Sequence, residues 1–141
     1  LLVQMHETGH NLNLHHSGLF NGGSYDDKSC FMGAPLYSDD APYMCFNGPK
    51  SWALGWYSDG HVTASPGNWE GKLVGVDDIV KANGFDKAVH TSVLKLPTQS
   101  SAYDDFYLMY NQATGVNAGV VQHGDKVTIV STSCLICSST L

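Results

Sequence analysis

The sequence contains no arginine and only two glutamates, Glu7 and Glu70, and charged residues make up 14% of its 141 positions. All seven basic residues are lysines, and the formal net charge is −6. Such a chain lacks the basic surface that binds phosphate backbones, so we expect no nucleic-acid partner. It also lacks the basic cluster that attracts anionic membranes. No apolar run approaches the roughly 18 residues of a transmembrane helix, so no transmembrane segment is predicted.

Hydrophobic residues make up 43% of the chain, which is typical of a globular protein. The length suits one domain or slightly more and is sufficient for a real core. Leu1-Leu2-Val3 reads as the middle of a helix, with no initiating Met and no N-cap before it. We therefore expect the sequence to be a fragment or processed piece, in which the absence of a signal peptide says nothing about targeting.

Residues 5–16 contain a His-Glu-x-x-His motif and a further histidine six positions later. On a helix, His6 and His10 lie on one face, about 5–6 Å apart at Cβ. Both imidazoles can then bind one Zn²⁺ at about 2.0–2.1 Å. Glu7 lies beside the first ligand and is the candidate general base for a water on the metal. A third histidine ligand leaves the fourth position open, which is typical of a catalytic zinc.

His16 is the candidate third ligand, and the neighbouring His15 is its competitor. The spacing from His6 to His16 is that of the metzincin pattern H-E-x-x-H-x-x-G-x-x-H, except that Asn13 stands at the glycine position. The glycine allows a positive φ, which turns the chain so that the last histidine returns to the metal. After glycine, asparagine is the residue that best tolerates a positive φ. We rank His16 above His15 as the third ligand, because only His16 stands at the metzincin spacing from His6.

A methionine turn lies beneath the metal in metzincins, and Met32 is the candidate for it, since Gly33 follows it. Met44 is the alternative, and ordinary core filling is the other interpretation of either residue. Some metzincins have a tyrosine ligand two residues after this methionine. Here that position is Ala34, so no such ligand is predicted.

The four cysteines allow three disulfide pairings, and their even number is compatible with an oxidising compartment. We predict a Cys30–Cys45 disulfide, because it closes a short loop and both residues flank the candidate metal site. Cys134 and Cys137 form a single CxxC motif. We expect these cysteines to form a local or inter-segment disulfide or to stay reduced, rather than to provide half of a zinc site. The acidic pairs Asp26-Asp27 and Asp39-Asp40 are expected to be solvated loop carboxylates, with Ca²⁺ binding as the alternative.

Helical spacing predicts a helix up to about Leu12, and Pro49 to Gly55 reads as a second, short helix. From about residue 60, alternating polar and apolar residues predict strands. We place these strands at about 71–76, 88–96, 105–110 and 126–131, with a turn at 113–119. The pattern predicts an α+β fold in which an antiparallel β unit follows the site-building segment.

Three segments resemble the gametolysin-like (autolysin) metalloproteases of the metzincin clan. The motifs are His-Glu-x-Gly-His-Asn-Leu-x-Leu-x-His-Ser-Gly from His6, Tyr-x-Asp-x-Ser-x-x-Met-Gly from Tyr25, and Cys-Phe-Asn-Gly-Pro-Lys-Ser-Trp-x-Leu-Gly-Trp-Tyr from Cys45. A looser likeness continues through Tyr107 to Gly119, and the resemblance covers most of residues 1–131.

The resemblance implies a zinc-dependent endopeptidase with Glu7 as catalytic base and His6, His10 and His16 as metal ligands. It implies that residues 1–60 are the C-terminal part of a metzincin-like catalytic domain, with the active-site helix and the Met-turn loop, and that a β-rich C-terminal domain occupies residues 61–141. It also implies secretion and an extracellular protein or glycoprotein substrate from matrix or cell wall. The alternative is a secreted matrix- or glycan-binding module with a vestigial site, and no oligomeric state is indicated.

Overall fold

The computed structural model describes residues 2–33, 43–65, 68–81, 85–99, 104–134 and 138–141. The helices in these ranges are α1 (Leu2–Asn11), α2 (Gly48–Ala53) and α3 (Val76–Lys81). The strands are β1 (Ser17–Gly18), β2 (His61–Thr63), β3 (Lys72–Leu73), β4 (His90–Thr91), β5 (Val93–Leu96), β6 (Asp105–Asn111), β7 (Lys126–Thr132) and β8 (Ser139–Thr140). The fold therefore mixes α and β, with a large sheet and short helices.

Helix α1 confirms the first predicted helix and packs on a cluster of buried apolar side chains. The cluster consists of Leu14, Cys30, Phe31, Met32, Met44 and Phe46. Gly9 lies at the contact, because a Cβ there would overlap the sulfur of Met32 and approach the ring of Phe46. A residue with a side chain would push the helix away from this core, so Gly9 sets how closely the histidine-bearing helix approaches it.

Helix α2 confirms the second predicted helix, and local signals define both of its ends. The side chain of Asn47 accepts a hydrogen bond from the backbone N–H of Lys50, and Pro49 occupies the first turn. After the last turn, Gly55 has a φ of +69°, a left-handed conformation that glycine adopts without strain. The helix packs against β5, β6 and β7.

The main sheet has the strand order β1-β8-β7-β6-β5-β2. Its central pairs are antiparallel, as predicted, with Leu94 opposite Leu108 and Leu108 opposite Ile129. The outer pairs β1–β8 and β2–β5 are parallel, which the prediction of an antiparallel unit missed. Long connections allow parallel pairing, and the one between β2 and β5 contains α3.

The strand predicted at 71–76 is correct only at its start, because β3 ends at Leu73 and α3 begins at Val76. Asp77 and Asp78 lie in the first turn of α3 and Lys81 in the last. These charges complement the helix dipole, and Lys81 pairs with Asp77 at 2.6 Å. The strands predicted at 105–110 and 126–131 are confirmed by β6 and β7.

The first 60 residues also contact the sheet that the later strands build. Strand β1 pairs with β8, and Trp52, in α2, is partly buried against a second cluster that contains Val93, Tyr107 and Met109. The division into domains at residue 60 stays a prediction. No helix within the described ranges has the length and apolarity needed to cross a bilayer.

Candidate metal centre

The structure brings His6, His10 and His16 together. One ring nitrogen of each lies within 4.8 Å of the others, and no other group of three His, Cys, Asp or Glu side chains in the described ranges is so close. The Nε2 atoms of His10 and His16 are 3.2 Å apart. Two nitrogen ligands on one tetrahedral zinc, each at about 2.0–2.1 Å, are separated by roughly 3.3 Å. The spacing of His10 and His16 therefore suits a single zinc-sized ion, and His6 offers a third nitrogen within 4.8 Å.

Backbone carbonyls orient the two histidines on α1. Nδ1 of His6 lies 2.8 Å from the carbonyl oxygen of Phe31, and Nδ1 of His10 lies 2.9 Å from that of Leu14. When Nδ1–H donates to these oxygens, Nε2 keeps the lone pair that a metal needs. His6 is buried, whereas His10 is exposed and His16 half-buried, so the cluster opens to solvent.

Asn13 turns the chain from α1 towards His16. Its φ is +64°, which confirms the predicted left-handed conformation. The N–H of Asn13 donates to the carbonyl of His10 at 2.9 Å, and that of Leu14 donates to Gly9 at 3.0 Å. This is the Schellman arrangement that ends a helix. The buried side chain of Leu14 fixes the direction in which the chain leaves the helix.

We expect Asn13→Ala to lower the free energy of unfolding by about 1 kcal/mol, since alanine keeps the Cβ that disfavours the left-handed region but lacks the short polar side chain through which asparagine tolerates it. Asn11→Ala is the matched control, because Asn11 is an exposed residue at the end of α1. The midpoint of chemical denaturation should be lower for Asn13→Ala than for Asn11→Ala. Equal stabilities of the two variants would contradict the importance of this turn.

His16, rather than His15, faces the other two histidines. His15 is exposed and takes no part in the cluster. Burial lowers the pKa of His16, and the nearby imidazoles of His10 and His6 lower it further. A lowered pKa favours the neutral imidazole, which is the form that binds metal.

Glu7 lies next to His6 on α1, with its carboxylate exposed. It makes no hydrogen bond or ion pair with another residue in the described part of the chain. Its carboxylate is therefore exposed and without a protein partner among these residues.

Met32 lies beneath α1 with no exposed surface. It belongs to a tight turn in which the N–H of Gly33 donates to the carbonyl of Cys30 at 2.9 Å. Its sulfur contacts the helix at Gly9, next to His10. Met44, the alternative, is buried in the same cluster.

Two features around His16 were missed by the sequence analysis. The ring of Tyr25 lies 4.0 Å from the His16 ring, centroid to centroid. Asp27 is fully buried, so the expectation of a solvated carboxylate is wrong for it. It accepts hydrogen bonds from the Ser17 hydroxyl at 2.6 Å and from the Ser29 N–H at 2.9 Å. Asp39 and Asp40 lie outside the described residues.

The predicted Cys30–Cys45 disulfide is not formed, because both residues are free thiols. The Cys30 sulfur accepts backbone hydrogen bonds from Met32 and Asn47, whereas Cys45 packs against the other core cluster. Burial raises the pKa of Cys30 to about 11 and that of Cys45 to about 12, so both stay protonated at neutral pH. Cys134 is disulfide-bonded, and Cys137 lies outside the described residues.

The family model described as gametolysin peptidase M11 matches residues 1–123. No curated protein and no solved structure matches the chain. The matched residues include α1, the Asn13 turn, the Met32 turn and α2, which together position the histidine cluster. The chain belongs to the gametolysin peptidase M11 family.

Proposed function

We propose that this chain carries the catalytic zinc centre of a metzincin-type endopeptidase. The convergence of one ring nitrogen from each of His6, His10 and His16 within 4.8 Å carries the proposal. An all-imidazole set of three suits zinc and leaves one position for water or substrate. Membership in a peptidase family supports hydrolysis of peptide bonds as the reaction.

Each residue of the centre has a role in the proposed reaction. Bound zinc supplies a Lewis acid that activates a water and polarises the scissile carbonyl. Glu7 accepts the proton of the attacking water and delivers it to the departing amine. We assign Met32 as the Met-turn residue, because its buried side chain contacts α1 at Gly9, between His6 and the end of the helix.

The proposed substrate is a protein or glycoprotein of the extracellular matrix or cell wall, and the proposed location is outside the cell. Family membership and the motifs shared with secreted gametolysin-like enzymes support both. The acidic chain without arginine is consistent with a partner other than nucleic acid.

The alternative is a secreted binding module whose metal centre is vestigial. Exposed apolar side chains on β6 and β7 favour it, since Phe106, Val127 and Ile129 are 42%, 49% and 54% exposed. Such a surface on one sheet face is typical of a binding site.

Removal of the metal distinguishes the two functions. With the protein expressed from its complete coding sequence, we expect cleavage of a generic protein substrate to stop in the presence of a zinc chelator. After the chelator is removed, one equivalent of Zn²⁺ should restore cleavage. Zinc binding without cleavage would favour the vestigial module, and cleavage that resists the chelator would contradict a metal-dependent mechanism.

A further inference from the structure

His16 needs anchoring that the helical ligands do not. His6 and His10 belong to α1, whose backbone hydrogen bonds fix both, whereas His16 lies beyond the end of that helix. Two donors hold its carbonyl oxygen: the N–H of Ser139 at 3.1 Å and Nζ of Lys50 at 3.3 Å. The third histidine is thus fixed through its main chain by residues from α2 and β8.

Lys50 is an unusual residue for this position, because it is 0% exposed. Its Nζ donates to the Ser139 hydroxyl at 2.8 Å as well as to His16, and it forms no ion pair with another residue of the described ranges. Burial of an ammonium group is costly, and a protein with an apolar side chain in such a place is often no less stable. The lysine is therefore better explained by the groups that its ammonium holds in place than by a contribution to the stability of the fold.

Ser139 connects Lys50 to the residues beside His16. Its hydroxyl lies 3.0 Å from the hydroxyl of Ser17 and accepts a hydrogen bond from the Asn47 side chain at 3.0 Å. Ser17 in turn donates to the buried Asp27 at 2.6 Å. Polar groups in such a network are held in one arrangement, because leaving any of them unpaired in the interior is costly.

We propose that Lys50 and Ser139 are positioning residues for the third metal ligand. They hold the His16 main chain where its imidazole reaches the ion that His6 and His10 bind. This inference rests on the proposed zinc centre. Ser139 lies beyond residues 1–123, which the family model matches, so β8 adds to the site a contact that the matched segment does not contain.

The zinc dissociation constant of the full protein measures this role directly. We expect Lys50→Met to weaken zinc binding by about 10- to 100-fold, the usual effect of losing a group that orients a metal ligand. Ser139→Ala should also weaken zinc binding. This second variant still tests the inference if Lys50→Met does not fold. Lys95→Met is the matched control: this half-buried lysine in β5 pairs with Asp105 at 2.7 Å, and its loss should leave zinc affinity unchanged.

A second background separates positioning from general destabilisation. In His16→Ala protein, adding Lys50→Met should change zinc affinity less than twofold, because the ligand it positions is gone. An equal loss in both backgrounds, or an unchanged affinity of Lys50→Met and Ser139→Ala, would overturn the inference while leaving the zinc centre intact. A wild-type protein that binds no zinc would overturn the proposed function together with the inference.

Discussion

Glu7→Gln is expected to lower kcat for peptide hydrolysis by about 100- to 10,000-fold, the usual contribution of a general base. The amide has almost the same shape as the carboxylate but does not accept a proton from water. Because Glu7 is exposed and is not one of the three clustered side chains, the variant should keep its zinc. Activity and metal content, measured on the same preparation of the full enzyme, check both expectations.

Glu70→Gln is the matched control, since Glu70 is the other glutamate of the chain and is also exposed. It lies just before β3, outside the histidine cluster, so its activity should equal that of the wild type. Near-normal turnover of Glu7→Gln would rule out its role as the base. An equal loss in both variants would show that the effect does not come from the metal centre.

His16→Ala is expected to weaken zinc binding by roughly 100-fold or more. A structural zinc site of four ligands contributes about 10–16 kcal/mol, or about 3 kcal/mol for each ligand. Each 1.4 kcal/mol, approximately, is a factor of ten in affinity. Competition with a chelating dye measures the dissociation constant, and peptidase activity should fall with the metal content.

His15→Ala is the control for this prediction, because the two histidines are adjacent in the sequence but only His16 lies in the cluster. His15 is exposed, so its removal should change neither zinc affinity nor activity. Similar zinc losses in the two variants would contradict the choice of ligand, and a larger loss for His15→Ala would reverse it.

The parts of the centre that sequence analysis predicted depend on local rules. The spacing of His6 and His10 follows from the helix period, and the turn at Asn13 follows from the backbone preference of one residue. Helix α2 begins and ends where Pro49 and Gly55 indicate. Each of these signals lies within a few residues of the structure it determines.

The parts that were missed depend on partners distant in sequence. The sequence around Asp27 indicates a loop carboxylate, because nothing near it shows that Ser17 and Asn47 will surround it. Nothing in the sequence around Lys50 indicates a role for it, since its hydrogen-bond partner in β8, Ser139, is 89 positions away. Burial of a charged side chain follows from tertiary packing, which a local pattern does not contain.

The errors in the sheet have the same origin. Strands β1 and β8 have two residues each, which is too few for an alternating pattern. They are recognised as strands only because β1 pairs with β8 and β8 pairs with β7. The strand prediction extends beyond the end of β3 because Val74 and Val76 favour a strand. The acidic residues that follow Val76 were the available signal for α3.

The zinc X-ray absorption spectrum of the metal-loaded protein tests the central claim most directly. If His6, His10 and His16 hold the ion, the spectrum should show three imidazole nitrogens and one further oxygen or nitrogen at about 2.0–2.1 Å. Imidazole scattering should fall from three rings to two in His10→Ala protein. Scattering from sulfur at about 2.3 Å, or an unchanged number of imidazoles in that variant, would place the metal elsewhere and contradict the account.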